Sequence, residues 1–419
     1  MCLGAKGRSH PSTCYGRIRM HFGMKQKNTR ALWLIFFVML MDVMGISMLS
    51  PVAPQIILKY SNQALMVTMV TVIYAAGQFI AAPFLGKLGD RYGRRPVLLL
   101  SILGQGIGYL VFAIGGSLWI LFLGRLIGGI TAGNMSTAGA YLTDISKPEE
   151  RAKNFTVMGN SWSLGLIFGP LLGGVFGQIN LAAPAYVAAA FSIMNVLLGL
   201  ILLPESLPKE KRHVTPLQPR DYNPFSAILD MARKPGLGVL LLINAIFSFA
   251  FDGVSSTSSL FMIEKFLAQT WQVSLALTIL GISNAVVNAF FVIPMIHKYG
   301  ERKSGVISLV CLAVTFGATF FSPLLWLIYP LNFLWGAGNA VIFPVLSTLS
   351  VERVELHEAG VLMGVITAVG SAMNVFGPLW AGLMYDHVQF GSPYWMGAIG
   401  MVISAWMLSR VKKPAQALD

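Results

Sequence analysis

Gly86-Lys87-Leu88-Gly89-Asp90-Arg91-Tyr92-Gly93-Arg94-Arg95 lies between two long apolar segments. These ten residues hold three glycines, one acid and four bases, a heavy charge load for a short connection. A degenerate copy, Lys298-Tyr299-Gly300-Glu301-Arg302-Lys303, begins 207 positions after Arg91. Two more pairs keep nearly that offset. Gly169-Pro170 returns as Gly377-Pro378, and Gly133-Asn134 returns as Gly338-Asn339. Three anchors at one spacing describe a chain of two related halves.

Composition sets the medium. Residues are 55% hydrophobic and 11% charged, against about 25% charged in a soluble domain. Twelve apolar segments can be read, at about 31–54, 64–86, 97–115, 118–141, 155–178, 182–203, 237–262, 271–296, 304–322, 324–348, 360–384 and 393–410. Each is near the roughly 20 residues that cross about 30 Å of hydrocarbon. The expected fold class is an all-α membrane protein, twelve transmembrane helices in two pseudo-symmetric six-helix bundles. The expected organisation is a basic segment over 1–30, a bundle over 31–203, a linker over 204–235, a second bundle over 236–410 and a tail over 411–419. The first 30 residues lack the pattern of a standard signal peptide, and Met20 and Met24 are alternative starts.

The net charge of +13 follows from topology. With an even number of crossings both termini share one side. Every Lys and Arg falls on that side except Lys59, Lys265 and Arg125. The bias predicts cytoplasmic termini in a cell membrane and argues against a nucleic-acid partner. Cys2, Cys14 and Cys311 form no paired framework. The six histidines lie in loops or at span ends, so neither a metal site nor a catalytic cluster is expected, and the chain is read as no enzyme. No G-x-x-x-x-G-K-[ST] sequence is present, so no nucleotide cofactor is expected and the energy source is an ion gradient.

Several residues carry chemistry. Gly86, at the end of the second span, would allow close helix approach, and Asp90 would accept N–H groups at a helix end. Arg91, Arg94 and Arg95 would pair with carboxylates of the other half or with lipid phosphate, and Asp144 is a further candidate partner. With Gly93 these residues are expected to form a conformational latch. In the fifth span Gly165, Gly169 and Gly173 stack on one face beside Gly174, and Pro170 permits a bend. Arg125 costs about 2.5–3.5 kcal/mol at a helix centre and should face the interior with a partner. Asp42 lies mid-way along the first span. Apolar surroundings favour a neutral acid and a nearby guanidinium favours the carboxylate. A carboxyl moving between the two can take up and release a proton, though sodium coupling would use the same groups. Asp252 is the second intramembrane acid, a site for a second proton or a cationic substrate. Glu264 falls nearer the aqueous rim.

The pattern Gly-x-Leu-x-Asp-Arg-x-Gly-Arg-Arg between spans two and three resembles the signature of the major facilitator superfamily. The resemblance covers about residues 31–410. It implies two six-helix bundles around a central cavity, working by alternating access, and links the fourth-span Arg125 to proton coupling. Gly165-x-x-x-Gly169-Pro170-x-x-Gly173-Gly174 is similar to the motif of the antiporter branch. Ala140-Tyr141-Leu142-Thr143-Asp144 and Glu150-Arg151-Ala152 resemble loops of tetracycline-efflux and related drug:H+ antiporters. The chain departs where tetracycline pumps carry substrate and coupling groups. Their third-span acid falls at Gly108, their eighth-span histidine at Asn284 and their ninth-span acid near Leu312.

The cavity is therefore expected to be lined by Gln78, Asn134, Asn160, Asn244, Asn284, Asn288, Asn339 and Asn374 with Tyr74, Trp162, Phe247 and Phe251. That mixture suits a moderately lipophilic compound. The expected function is proton-coupled export of small amphiphilic molecules by a monomer, with a small-molecule substrate, protons and the lipid bilayer as partners. A metabolite or sugar carrier, and a receptor that keeps the fold without transport, are the competing readings.

Overall fold

A computed structural model describes residues 31–147, 150–208, 210, 212, 224–355 and 358–411. The 1–30 segment, much of the 204–235 linker, the tail beyond 411 and the side chain of Asn134 lie outside the described residues. The first half contains α1 (Ala31–Met48), the short α2 (Ala53–Ile57), α3 (Ala64–Tyr92), α4 (Arg94–Ile114), α5 (Leu118–Thr131), α6 (Asn134–Ile145), α7 (Arg151–Ile179) and α8 (Ala183–Leu202). Helix α9 (Pro224–Ala232) precedes the second half. That half contains α10 (Leu237–Phe266), α11 (Thr270–Phe290), α12 (Val292–Tyr299), α13 (Glu301–Phe321), α14 (Leu325–Val351), α15 (Ala359–His387) and α16 (Ser392–Arg410). Among the described residues, ten helices are each long and apolar enough to cross a membrane. The pair α5–α6 makes the fourth crossing, and α16 makes the twelfth.

Three local features differ from the sequence expectation. The stretch from Gly86 to Tyr92 is not a loop but the last two turns of α3. Only Gly93 breaks the helix, at φ 107° and ψ 154°, and α4 begins at the next residue. A side chain cannot adopt that backbone readily, and it would also strike Glu205. Gly300 repeats the break between α12 and α13 at φ 76° and ψ 161°, so the two halves share their backbone geometry where they share sequence. The fourth crossing is interrupted at Ala132 and Gly133, and Gln78 Nε2 donates to the freed Ala132 carbonyl at 3.2 Å. The eighth crossing is divided at Phe291. Pro294, which has no N–H to bond back one turn, stands just inside α12.

Contacts between the bundles gather at the end opposite the 86–95 segment. Helix α3 lies along α15, and α7 lies along α11. The Asp386 carboxylate accepts from the N–H groups of Ala64 at 2.7 Å and Leu65 at 2.9 Å, which caps α3 across the bundle boundary. Thr270 donates to Gln55 Oε1 at 3.0 Å. The apolar core is continuous through both bundles there. Towards the other end lie two separate smaller clusters, one around Ile35, Leu98 and Tyr141, the other around Leu237, Leu241 and Leu362. Gly159, Gly360 and Gly364 face open space on that side. The bundles are therefore closed at one end and parted at the end that carries Arg94 and Arg95.

An anion at a helix N-terminus contributes about 1 kcal/mol, so Asp386→Asn should loosen the closed end. Leu65→Cys in a background lacking Cys2, Cys14 and Cys311 should then react with an impermeant maleimide about fivefold faster than it does beside intact Asp386.

Candidate functional site

The fourth crossing reaches the bundle interior because its glycines let neighbouring backbones touch. A Cβ on Gly124 would lie 2.7 Å from the Gly108 carbonyl of α4, and one on Gly77 of α3 would lie 3.0 Å from the Ile130 nitrogen. Helix α5 is thus pressed between α3 and α4, and Arg125 is carried inward to 8% exposure. Its Nε donates to the Val70 carbonyl at 3.2 Å, and its Cζ lies 4.4 Å from the centre of the Tyr74 ring. A desolvated cation–π contact is worth about 2 kcal/mol and a hydrogen bond to a charged group about 1.5–3 kcal/mol. Together they offset the insertion cost of the guanidinium.

Asp42 of α1 is 4% exposed. Gly45, one turn along the same helix, leaves room for the Tyr109 ring, whose Cε2 would be 3.1 Å from a Cβ there. Gln105 donates to the Tyr109 hydroxyl at 2.9 Å. The charges of Asp42 and Arg125 both act on Tyr74 and Tyr109. Four helices of the first bundle therefore bring an acid, a guanidinium, two phenols and an amide into one buried group. Gln105 and Tyr109 were not among the expected site residues. Their signal was present, since polar side chains four apart in an apolar span share one helix face.

Asp252 stands outside this group, in the second bundle. It is half-buried beside the tight crossing of α10 and α15, where a Cβ on Gly377 would meet the Phe249 carbonyl at 2.6 Å. Glu264 is exposed and accepts from the Tyr385 hydroxyl at 2.7 Å.

The cationic segment finds its partners in its own bundle, which corrects the expectation of carboxylates from the other half. Arg94 pairs with Asp90 at 2.6 Å and with Asp144 at 3.4 Å. Ser206 donates to the same Asp144 oxygen at 3.0 Å. Asp90 is not the helix-capping acid. Glu205 takes that place, with Oε1 accepting from the Arg94 N–H at 2.9 Å, as suits an anion at the start of α4. Arg95 donates to the Leu200 carbonyl, and its counterpart Arg302 donates to the Val411 carbonyl at 3.1 Å. Arg91 is exposed beside the Tyr92 ring. Gly86 approaches no helix, because the parted bundles leave open space around it.

In α7 the expected glycines divide between two partners. Gly165, Gly169 and Gly173 lie against α1 at Val43, Ser47 and Met48, whereas Gly174 lies against Ser274 of α11. Ser47 donates to the Gly165 carbonyl at 2.9 Å. Pro170 is accommodated inside α7.

The expected cavity residues do not converge on one space. Tyr74 is buried under Arg125, and Gln78 is bonded to the helix break. Asn244 and Phe247 are buried within the second bundle. Phe251 packs on Phe247 and Trp335 at 5.6 and 6.0 Å between ring centres. Asn284 donates to the Gly336 carbonyl at 3.5 Å, and Asn339 is half-buried. Asn160, Trp162 and Asn288 are exposed in the parted-end halves of α7 and α11, and Asn374 is exposed at the middle of α15.

Two six-helix bundles closed at one end, with charged groups buried inside one of them, define a multi-pass membrane transporter. The chain belongs to the Major Facilitator Superfamily, whose description it matches over residues 35–287 and 240–418. It is 32% identical over 362 residues to the tetracycline resistance protein, class C, of Escherichia coli, covering 86% of this chain and 90% of that one. It is 25% identical to multidrug resistance protein 2 of Bacillus subtilis (strain 168), covering 88% and 93%. Among solved structures, the human organic anion transporter MFSD10 (TETRAN) superposes with a TM-score of 0.68 at 24% identity, covering 91% and 99%, a likeness of fold. The chain is a transporter related to tetracycline and multidrug efflux proteins.

Crowding at the α4–α5 crossing should be measurable. Gly108→Ala would place a methyl 2.7 Å from the Gly124 carbonyl and should destabilise by about 1–3 kcal/mol. Gly86→Ala, within α3 and facing open space, should instead hold or slightly raise the melting midpoint of the detergent-purified protein, because glycine inside a helix costs about 0.5–1 kcal/mol relative to alanine.

Proposed function

We propose that the protein exports small amphiphilic compounds in exchange for protons, with both termini on the cytoplasmic side. The observation that carries this reading is the buried group around Asp42. An acid shielded from water, sharing two phenols with a buried guanidinium, is a group whose protonation depends on small changes in polarity. Rocking of the bundles would change that polarity by admitting water from one side and then the other. Asp42 is the proton carrier in this reading, Arg125 is the fixed cation of the same buried group, and Asp252 serves a second proton or a cationic cargo. The Asp90, Arg94, Asp144 and Glu205 network holds the parted end of the first bundle together as one unit and does not latch it to the second. The exposed Asn160, Trp162, Asn288 and Asn374 face the cargo path.

The test is reconstitution in vesicles holding a pH dye, with lipophilic cations, neutral antibiotics and sugars offered in turn. Cargo-dependent proton movement is expected with an amphiphilic compound, and Asp42→Asn should reduce it to background while the protein stays folded. Proton movement with none of the compounds, flux driven by sodium alone, or coupled flux in Asp42→Asn would each overturn the reading.

Tetracycline is not the proposed cargo. The position expected for the third-span acid is Gly108, where adjoining backbone leaves no room for a side chain, and Leu312 is fully buried among apolar groups. Expression in a sensitive host should leave the inhibitory concentration of tetracycline within twofold of the empty vector.

A further inference from the structure

A groove of about 630 Å³ runs along the outer face of the first bundle between α4 and α8. It begins beside the Gly93 break, at the parted end of the molecule. Its floor is Leu99, which sinks over Gly199 because that residue has no side chain. Leu100, Leu103 and Leu200 form its walls, and they are 66%, 40% and 53% exposed. These side chains face hydrocarbon in a membrane. The mouth of the groove is different in kind. Arg95, Arg212, Tyr92 and Glu205 stand there, at the helix ends, where lipid headgroups lie.

The charges at the mouth do not cancel. Glu205 faces Arg212 at 3.7 Å, and its Oε1 also accepts from the Arg94, Ser206 and Leu207 N–H groups. Its negative charge is thereby committed to the start of α4 and to the turn after it. Arg95 uses one terminal nitrogen on the Leu200 carbonyl, while its Nε is buried without a hydrogen-bond partner. Among the residues that line the groove, two guanidiniums face one carboxylate at the top of an apolar furrow. A buried N–H of a cation without an acceptor is costly, and an anionic oxygen entering the mouth would supply one.

We propose that this groove binds an anionic glycerophospholipid of the surrounding leaflet, with the phosphate at Arg95 and Arg212 and an acyl chain along Leu100 and Leu103. A free phosphate would leave the furrow unfilled, and a zwitterionic lipid would bring its own cation against the arginines. The bound lipid would brace α4 against α8 beside the Gly93 break.

Native mass spectrometry of the full-length protein in detergent tests this with added phosphatidylglycerol, phosphatidylcholine and glycerol phosphate. Phosphatidylglycerol should be retained about fivefold more than phosphatidylcholine, the weight of about one net basic charge at a lipid surface. Arg212→Gln should erase that preference. Leu100→Trp, which fills the furrow from the lipid side without touching the core, should displace the lipid. Equal retention of the two lipids by the unaltered protein would overturn the proposal. So would full phosphatidylglycerol retention in Leu100→Trp, or glycerol phosphate competing as well as the whole lipid. A lipid effect on melting midpoint that survives in Arg212→Gln would likewise place the binding elsewhere.

Discussion

A guanidinium inside the hydrocarbon is the constraint around which the first bundle is built. Arg125 cannot leave its charge unpaired at that depth, so the helices beside it must come close enough to supply a carbonyl and an aromatic face. Gly77, Gly108, Gly124 and Gly129 make that approach possible by letting α3, α4 and α5 meet backbone to backbone. The same closeness leaves the Val70 carbonyl and the Tyr74 ring as the groups that receive the cation. Asp42 then shares surroundings already polarised by a fixed charge.

The architecture was legible from the chain because membrane constraints act on long runs and on whole-loop charge. Twelve apolar segments and the one-sided bases follow from hydrocarbon thickness and from insertion, and both leave a mark in composition. The Gly93 and Gly300 breaks repeat because each needs a residue with positive φ at the same place in each half. What was not legible came from packing between segments distant in sequence. Glu205 caps α4 from 111 residues away, and nothing in its Pro204-Glu205-Ser206 setting marks it as more than a linker acid. Asp386 caps α3 from the other bundle, a pairing that exists only when the halves meet. Gln105 and Tyr109 were readable in principle, but the packing that places Tyr109 against Gly45 of α1 joins helices distant in sequence. The helical course of Gly86–Tyr92 was obscured by its charge. Charged residues are ordinary helix formers, and a helix that emerges from the membrane need not stop at its edge.

The two ends of the molecule solve the problem of joining and parting differently. At the closed end, α3 meets α15 and α7 meets α11 through small residues, and one carboxylate caps a helix across the boundary. At the parted end, the ion pairs among the described residues each lie within a single bundle. Arg94 holds Asp90 and Asp144, Glu205 holds the start of α4, and Lys234 pairs with Glu358 in the second bundle. An ion pair broken in a poorly hydrated crevice strands both charges at a penalty of several kcal/mol. Because these pairs lie inside each bundle, separation at this end breaks none of them. Each bundle can then move as a unit whose charges travel with their partners. That leaves apolar contact, helix capping and cargo to set the balance between the two closures, and terms of one or two kcal/mol are enough to shift it.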